Sequence, residues 1–114
     1  MKKAVTIKKN HEFRRMYSRG KSAVSPAMVV YCRKNRLDHN RLGITVSTKL
    51  GGAVVRNRAR RRLRETFRLS APYLRQGYDI VLVARGRVLT APFPALLETF
   101  RRLCGKLEIW EERL

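Results

Sequence analysis

Seven arginines fall in the thirteen residues from Arg56 to Arg68. Guanidinium groups at that density suit one chemistry, the binding of phosphate oxygens by planar, forked donors. An apolar stripe lies beneath them, so the run is a folded helix and not a basic tail. Wound at roughly 100° per residue, Val55, Ala59, Leu63, Thr66 and Phe67 share an arc of roughly 120°, the width of a core-facing stripe. Asn57, Arg60, Arg61, Arg64 and Arg68 cover the far side. Like charges at i,i+4 repel by roughly 0.2–0.5 kcal/mol per pair, and Arg56 and Arg58 face the positive end of the helix dipole. Only Glu65 relieves them locally. A helix that breaks stability rules so densely marks a site, and its occupant is a polyanion docking near a helix N-terminus led by Gly51 and Gly52.

The candidates on this helix are Arg56, Asn57, Arg58, Arg60, Arg61 and Arg64, with Lys49 as a further phosphate contact. Asn57 both donates and accepts, which suits a 2′-hydroxyl or a base edge. Arg60 and Arg62 read as general positive field. Arg56 falls inside the apolar arc, so a snorkelling stem is an open alternative to a direct contact. Gly51 is read as the tight turn into the helix.

Hydrolytic chemistry finds no support. The carboxylates Glu12, Asp38, Glu65, Asp79, Glu98, Glu108, Glu111 and Glu112 are scattered, without the paired spacing of a metal-dependent nuclease. His11 and His39 form no ligand cluster. Cys32 and Cys104 lie in apolar contexts with no CxxC and are read as reduced core thiols. The 27 Lys and Arg against 8 Asp and Glu give +19 on 114 residues, and nucleic acid is the default partner of such a charge. Nineteen of those cations are arginine, which favours forked phosphate recognition. No apolar run reaches the roughly 18 residues of a membrane span, and no signal peptide is evident, so a cytoplasmic chain is expected.

The elements that must carry these residues can be read in order. Residues 1–9 form a basic extended segment, and Asn10 offers an N-cap for a short helix with Phe13, Met16 and Tyr17, ended by Gly20. A short strand is possible near Lys21 to Ser25. Ala27 to Arg33 reads as a strand with Met28, Val30 and Cys32 on one face and Val29, Tyr31 and Arg33 on the other. Arg41 to Ser47 alternates, with Leu42, Ile44 and Val46 against Gly43 and Thr45. The polar loop Lys34 to Asn40 joins these two as an expected hairpin. Ser70-Ala71-Pro72 stops the arginine helix, Tyr78 to Ala84 has the apolar run of a strand covered on both faces, and a last helix carries Leu96, Leu97, Phe100, Leu103, Cys104 and Leu107. Trp110 suits a packed or an exposed position equally. The order αββ(β)αβα predicts a small α+β sandwich, one domain over residues 1–114, with a βαβ unit around the arginine helix.

Lys49, Gly51, Ala53-Val54, Arg56-Asn57-Arg58, Arg60-Arg61, Arg64 and Phe67 together resemble the signature of the protein subunit of bacterial ribonuclease P. The resemblance extends to Lys8-Lys9-Asn10 with Phe13 and Tyr17, to Val30-Tyr31, to Arg41-Leu42-Gly43 with Val46-Ser47, and to Tyr78-Asp79 with Ala84-Arg85. It covers most of the chain and is weakest in the last helix. Ala59 stands where a larger apolar residue is common in the family, and Arg62 where an apolar one is expected.

The resemblance implies a division of labour. A large RNA with bound Mg²⁺ hydrolyses the phosphodiester, and the protein, with no catalytic residue and no organic cofactor, assists it in removing the 5′ leader of precursor tRNA. The protein binds the single-stranded leader, helps the RNA bind metal, broadens the range of tRNAs, and pairs 1:1 with the RNA. The resemblance further implies a left-handed βαβ crossover, against the usual right-handed rule. It assigns the arginine helix to the catalytic RNA and a cleft beside the first helix to the leader. Phe13, Tyr17 and Tyr31 line that cleft by this reading, with Lys8, Lys9, Arg14 and Arg33 tracking the backbone, since unstacked bases lie well on aromatic rings. Phe13 and Tyr17 are equally readable as core residues. A small ribosomal protein, a DNA-binding architectural protein and a protein-only nuclease remain as alternatives, the first disfavoured because its charge usually sits in extended tails.

Overall fold

The computed structural model describes residues 5–111. Its elements run β1 (Val5–Thr6), α1 (Asn10–Arg19), β2 (Lys21–Val24), β3 (Met28–Lys34), β4 (Arg41–Thr45), α2 (Ala53–Ser70), β5 (Tyr78–Ala84) and α3 (Phe93–Lys106). The five strands form one mixed sheet in the order β1-β4-β5-β3-β2. β4 and β5 are parallel neighbours joined through α2, which realises the expected βαβ unit. β3 runs antiparallel to both β5 and β2.

The expected hairpin between β3 and β4 does not form. β5 inserts between them, pairing Val30 with Leu82 on one side and Ile44 with Leu82 on the other. β5 is the most apolar strand and can be covered on both faces, so the centre of the sheet is its natural place. The hairpin of this sheet is β2–β3, which includes the short strand foreseen near Lys21. The basic segment 1–9 is not wholly extended tail: Val5–Thr6 pair in parallel with Arg41–Leu42, and Ile7 is buried. Residues 1–4 of that segment lie outside the described residues. Asn10 is not the N-cap; Lys9 holds that position with no side-chain cap, and Asn10 begins the helix.

Side-chain alternation divides the molecule into layers. Met28, Val30, Cys32, Leu42, Ile80 and Leu82 face α2 and α3, where Leu63, Phe67, Leu96 and Phe100 close the main core. Phe67 and Phe100 meet edge to face at 6.2 Å. The other side of the sheet carries a smaller core of Ile7, Met16 and Val81, with Phe13, Tyr31 and Val83 packed against it. Among the described residues only α1 covers that side, so part of the sheet stays open there. The strand-to-helix turn before α2 passes through Gly51 at φ 152°, a conformation L side chains rarely adopt, and an added Cβ would lie 2.9 Å from Val55.

Candidate nucleic-acid interface

Of the apolar stripe read on α2, Ala59, Leu63, Thr66 and Phe67 are buried and Val55 is half-buried, while Ser70 extends the buried face, and this turns the opposite face outward. Asn57, Arg58, Arg61 and Arg64 are exposed there, and Arg60 is half-buried. They line, with Val54, a concavity of about 490 Å³ along the helix. Val54 is 83% exposed, an apolar contact amid the cations. Asn57 Oδ1 accepts a hydrogen bond from Arg60 Nη1 at 3.0 Å, which engages the amide oxygen and leaves the NH₂ group as the available donor. The helix has no acid in its first turn and no side-chain cap at Gly52. Glu65 does not neutralise the face, being engaged by Arg68 one turn on, whose hydrogen bond holds its carboxyl below the ordinary range. What remains is a row of forked donors without carboxylate partners among the described residues, suited to a run of phosphates.

Two arginines of the run behave differently. Arg56 is half-buried, and its Nε is buried without a hydrogen-bond partner, as expected of a stem lying within the apolar arc. Arg62 is not general field. Its Nε donates to the carbonyl of Val88 at 2.8 Å and its Nη2 to the carbonyl of Ala91. It therefore clamps the turn between β5 and α3 onto α2. Lys49 lies exposed in the single turn preceding α2, at the same end as Arg56 and Asn57.

On the far side of the sheet the aromatic residues come together. Tyr17 and Tyr31 meet edge to face at 5.0 Å, and Phe13 lies 6.5 Å from Tyr17. Tyr17 is 40% exposed, and its hydroxyl is 2.9 Å from Thr45 Oγ1. Tyr31 is half-buried, turned to this face because Val30 and Cys32 are buried on the other. Phe13 is held over Gly43, where an added Cβ would stand 2.7 Å from its ring, so it serves the small core as well as the groove wall. Val29 and Val83, paired on adjacent strands, and Val24, 56% exposed, extend the same open face. Val29 was legible from its alternation with Tyr31. Val24 and Val83 needed the strand order.

The cations assigned to this cleft are dispersed. Arg14 is exposed on α1, and Lys8 and Lys9 are exposed at its start, near β4, where Ile7 N–H bonds Leu42. Arg33 lies across α1 from Tyr17, beside Arg41 and Asp79. Arg41 is a hub that sequence reasoning did not single out as a site residue. It donates from Nε to Asp79 Oδ1 at 2.8 Å and from Nη2 to Asp79 Oδ2 and Glu12 Oε2, both at 2.6 Å. Thus α1 is gripped on one flank by Glu12 and on the other by Tyr17. Burial raises the Asp79 pKa, but hydrogen bonds from Arg41 and Asn35 and the charges of Arg41 and Arg33 outweigh it and hold the carboxyl below its usual value.

Among the described residues no group of three His, Cys, Asp or Glu could hold a metal ion, and no helix is long and apolar enough to cross a membrane. Cys32 and Cys104 are free and buried, and burial pushes both thiols up. Trp110 stacks on Tyr73 at 5.3 Å, under Arg101.

The sequence model of the family Ribonuclease P matches residues 1–108. The ribonuclease P protein component of Caldanaerobacter subterraneus subsp. tengcongensis is 46% identical over 111 residues, 97% of this chain and 96% of that protein. That of a Thermoanaerobacter species is 44% identical over 96% of this chain and 94% of its own. Among solved structures, the Staphylococcus aureus RNase P protein superposes with a TM-score of 0.82 at 34% identity, over 96% of this chain and 100% of that one. The Thermotoga maritima RNase P protein gives 0.75 at 32%, over 83% and 90%.

Proposed function

This chain belongs to the ribonuclease P protein family, and on that premise we propose that it binds the catalytic RNA with α2 and the 5′ leader of precursor tRNA with the groove beside α1. The observation that carries this reading is the pair of chemically unlike surfaces on opposite sides of one sheet. One is a helix of forked cations on the α2 side; the other is an open strand face with three aromatic rings. Duplex-rich RNA presents phosphates and suits the first. A single strand presents unstacked bases and suits the second, at roughly 1–3 kcal/mol per stacked base.

In this reading the chain acts by binding and orientation. Asn57, Arg58, Arg61 and Arg64 seat the catalytic RNA. Tyr17 and Tyr31 hold leader bases and so distinguish precursor from mature tRNA, which lacks them. Mg²⁺ stays with the RNA, where it supplies the hydrolytic chemistry, and the protein's cations lower the repulsion that opposes metal binding between crowded phosphates. One protein serves one RNA in the cytoplasm, and binding through the leader instead of the tRNA body broadens the substrate range.

The test is cleavage of a precursor tRNA by a bacterial ribonuclease P RNA at low Mg²⁺, with and without the protein, beside the protein alone. Stimulation in the combined reaction, with release at the mature 5′ end, is expected. Cleavage by the protein alone would overturn the division of labour. In the same assay Tyr31→Ala weakens precursor binding more than mature tRNA binding, and equal losses would remove Tyr31 from the leader site.

A further inference from the structure

A second concavity, of about 390 Å³, opens on the flank of α1 away from Tyr17. Its floor is the network of Glu12, Arg41, Asp79 and Asn35, in which both carboxylates are committed: Arg41 takes both, and Asn35 Nδ2 donates to Asp79 at 3.0 Å. Its rim is Arg15 from α1, Arg33 and Lys34 from β3, and Arg36 from the turn that follows. None of these four makes a salt bridge among the described residues. Five cations against two carboxylates leave the lining at +3.

The rim is anchored to its floor. Asn35 accepts from Leu37 N–H at 2.8 Å and donates to the His39 carbonyl at 3.1 Å, while its own N–H bonds Gly77 at 2.9 Å. The end of β3 and the turn bearing Arg36 are therefore tied to Asp79 through Asn35, which fixes the backbone from which Lys34 and Arg36 project. A concave surplus of cations, three of the four rim groups being guanidinium forks, favours a phosphodiester backbone over a point anion.

Position selects which phosphodiester. The basin is on the aromatic side of the sheet, opposite the exposed arginines of α2. It also lies at the start of β4, whereas the chain leaves the far end of β4 to reach Lys49 and the N-terminus of α2. Arg41 and Thr45 are four residues apart, about 13 Å of strand. A single strand coming from the α2 end meets Thr45, Tyr17 and Tyr31 first, crosses the exposed Arg14 and Arg15 of α1, and reaches the basin last.

We propose that this basin binds the backbone of the leader nucleotides farthest from the cleavage site, a subsite beyond the aromatic groove. It rests on the leader reading above. The test measures binding of precursors whose leaders are lengthened one nucleotide at a time, across a salt series, with the holoenzyme containing wild-type protein, Arg33→Gln/Arg36→Gln or the exposed pair Lys34→Gln/Arg36→Gln. Each lost single-strand phosphate contact lowers the slope of log K against log salt by about 0.7, so each double variant flattens it by about 1.4 for long leaders and leaves the shortest leader unchanged. An unchanged slope at every length overturns the proposal, showing a solvated charge cluster. A flattening that is equal for the catalytic RNA alone also overturns it, by assigning the basin to that RNA. Tyr31→Ala, run in parallel, separates the two levels: loss of precursor preference there with no effect of the basin variants rejects the basin and keeps the leader groove.

Discussion

Gly43→Ala tests whether the aromatic groove depends on how closely α1 lies on the sheet. The new Cβ would stand 2.7 Å from Phe13 Cε1, 2.9 Å from Cζ and 3.3 Å from Val81 Cγ2. Ordinary carbon contacts are about 3.5–4.0 Å, so the ring must retreat by about 1 Å. Val81 is fully buried in the central strand and cannot yield, which leaves α1 to lift. Overpacking of this kind costs about 1–3 kcal/mol; since Phe13 is only half-buried, about 1–2 is expected. With an unfolding entropy of about 2.1 cal/mol/K per residue, that is a fall in Tm of about 4–8 °C, measured by calorimetry. Lifting α1 moves Tyr17 away from Tyr31, so precursor affinity falls by about 1 kcal/mol, some fivefold, while affinity for the catalytic RNA holds. In a Phe13→Leu background the same substitution costs much less, because the clash is gone. An alanine variant with unchanged Tm and unchanged precursor preference would refute the view that Phe13 sets the height of α1.

Arg62→Ala removes two charge-assisted bonds to carbonyls and is expected to cost about 2–3 kcal/mol, seen as a lower urea midpoint; a stability loss below about 0.5 would reject the clamp. Arg61→Ala and Arg64→Ala behave oppositely, leaving Tm unmoved while RNA affinity and its salt slope fall, the slope by roughly 0.7–0.9 per phosphate contact, the range spanned by single strands and B-form duplex DNA; intact affinity and slope would exclude α2 as the docking face. Asp79 titrates below its unfolded value of about 3.9, so the unfolded chain binds the proton more readily and stability rises with pH through that window. The contribution is complete above about pH 5 and is lost as pH falls through the folded pKa. The stability gap between wild type and Asp79→Asn should accordingly narrow in acid, and a gap that widens in urea titrations below about pH 4 would contradict the Arg41 network.

Those residues also show where local sequence patterns stop. The buried stripe of α2, the outward turn of Tyr31 and the glycine at the strand-to-helix turn were all legible, because each depends on periodicity within one element. The β3–β4 hairpin was not, since whether β5 inserts between two neighbouring strands is decided by how apolar strands compete for the centre of a sheet. Val5–Thr6 is too short to show a period, and its pairing is bought by the burial of Ile7. Arg62 looked like one more charge because its partners are carbonyls 26 and 29 residues away, which no composition reveals. The basin draws on α1, β3, β4 and β5 and exists only in the assembled sheet.

The same alternation that hides such sites explains how one small sheet carries two chemically unlike surfaces, the pair on which the proposed function rests. On β5, Ile80, Leu82 and Ala84 pack toward α2 and α3, while Val81 and Val83 pack toward α1. One strand thus backs both surfaces. Cations placed on both sides of a sheet repel less than the same number on one, and under the proposed function the layer between would keep catalytic RNA and leader from competing for the same groups. The side with the larger core bears the arginine helix, which needs a rigid support because its own charges oppose helix formation. The side whose apolar cluster has, among the described residues, three buried members and one short helix bears the aromatic groove, where an open strand face is the requirement. Burial and binding chemistry are therefore allotted together: the most strongly self-repelling element rests on the largest core, and the surface that must stay open rests on the smallest.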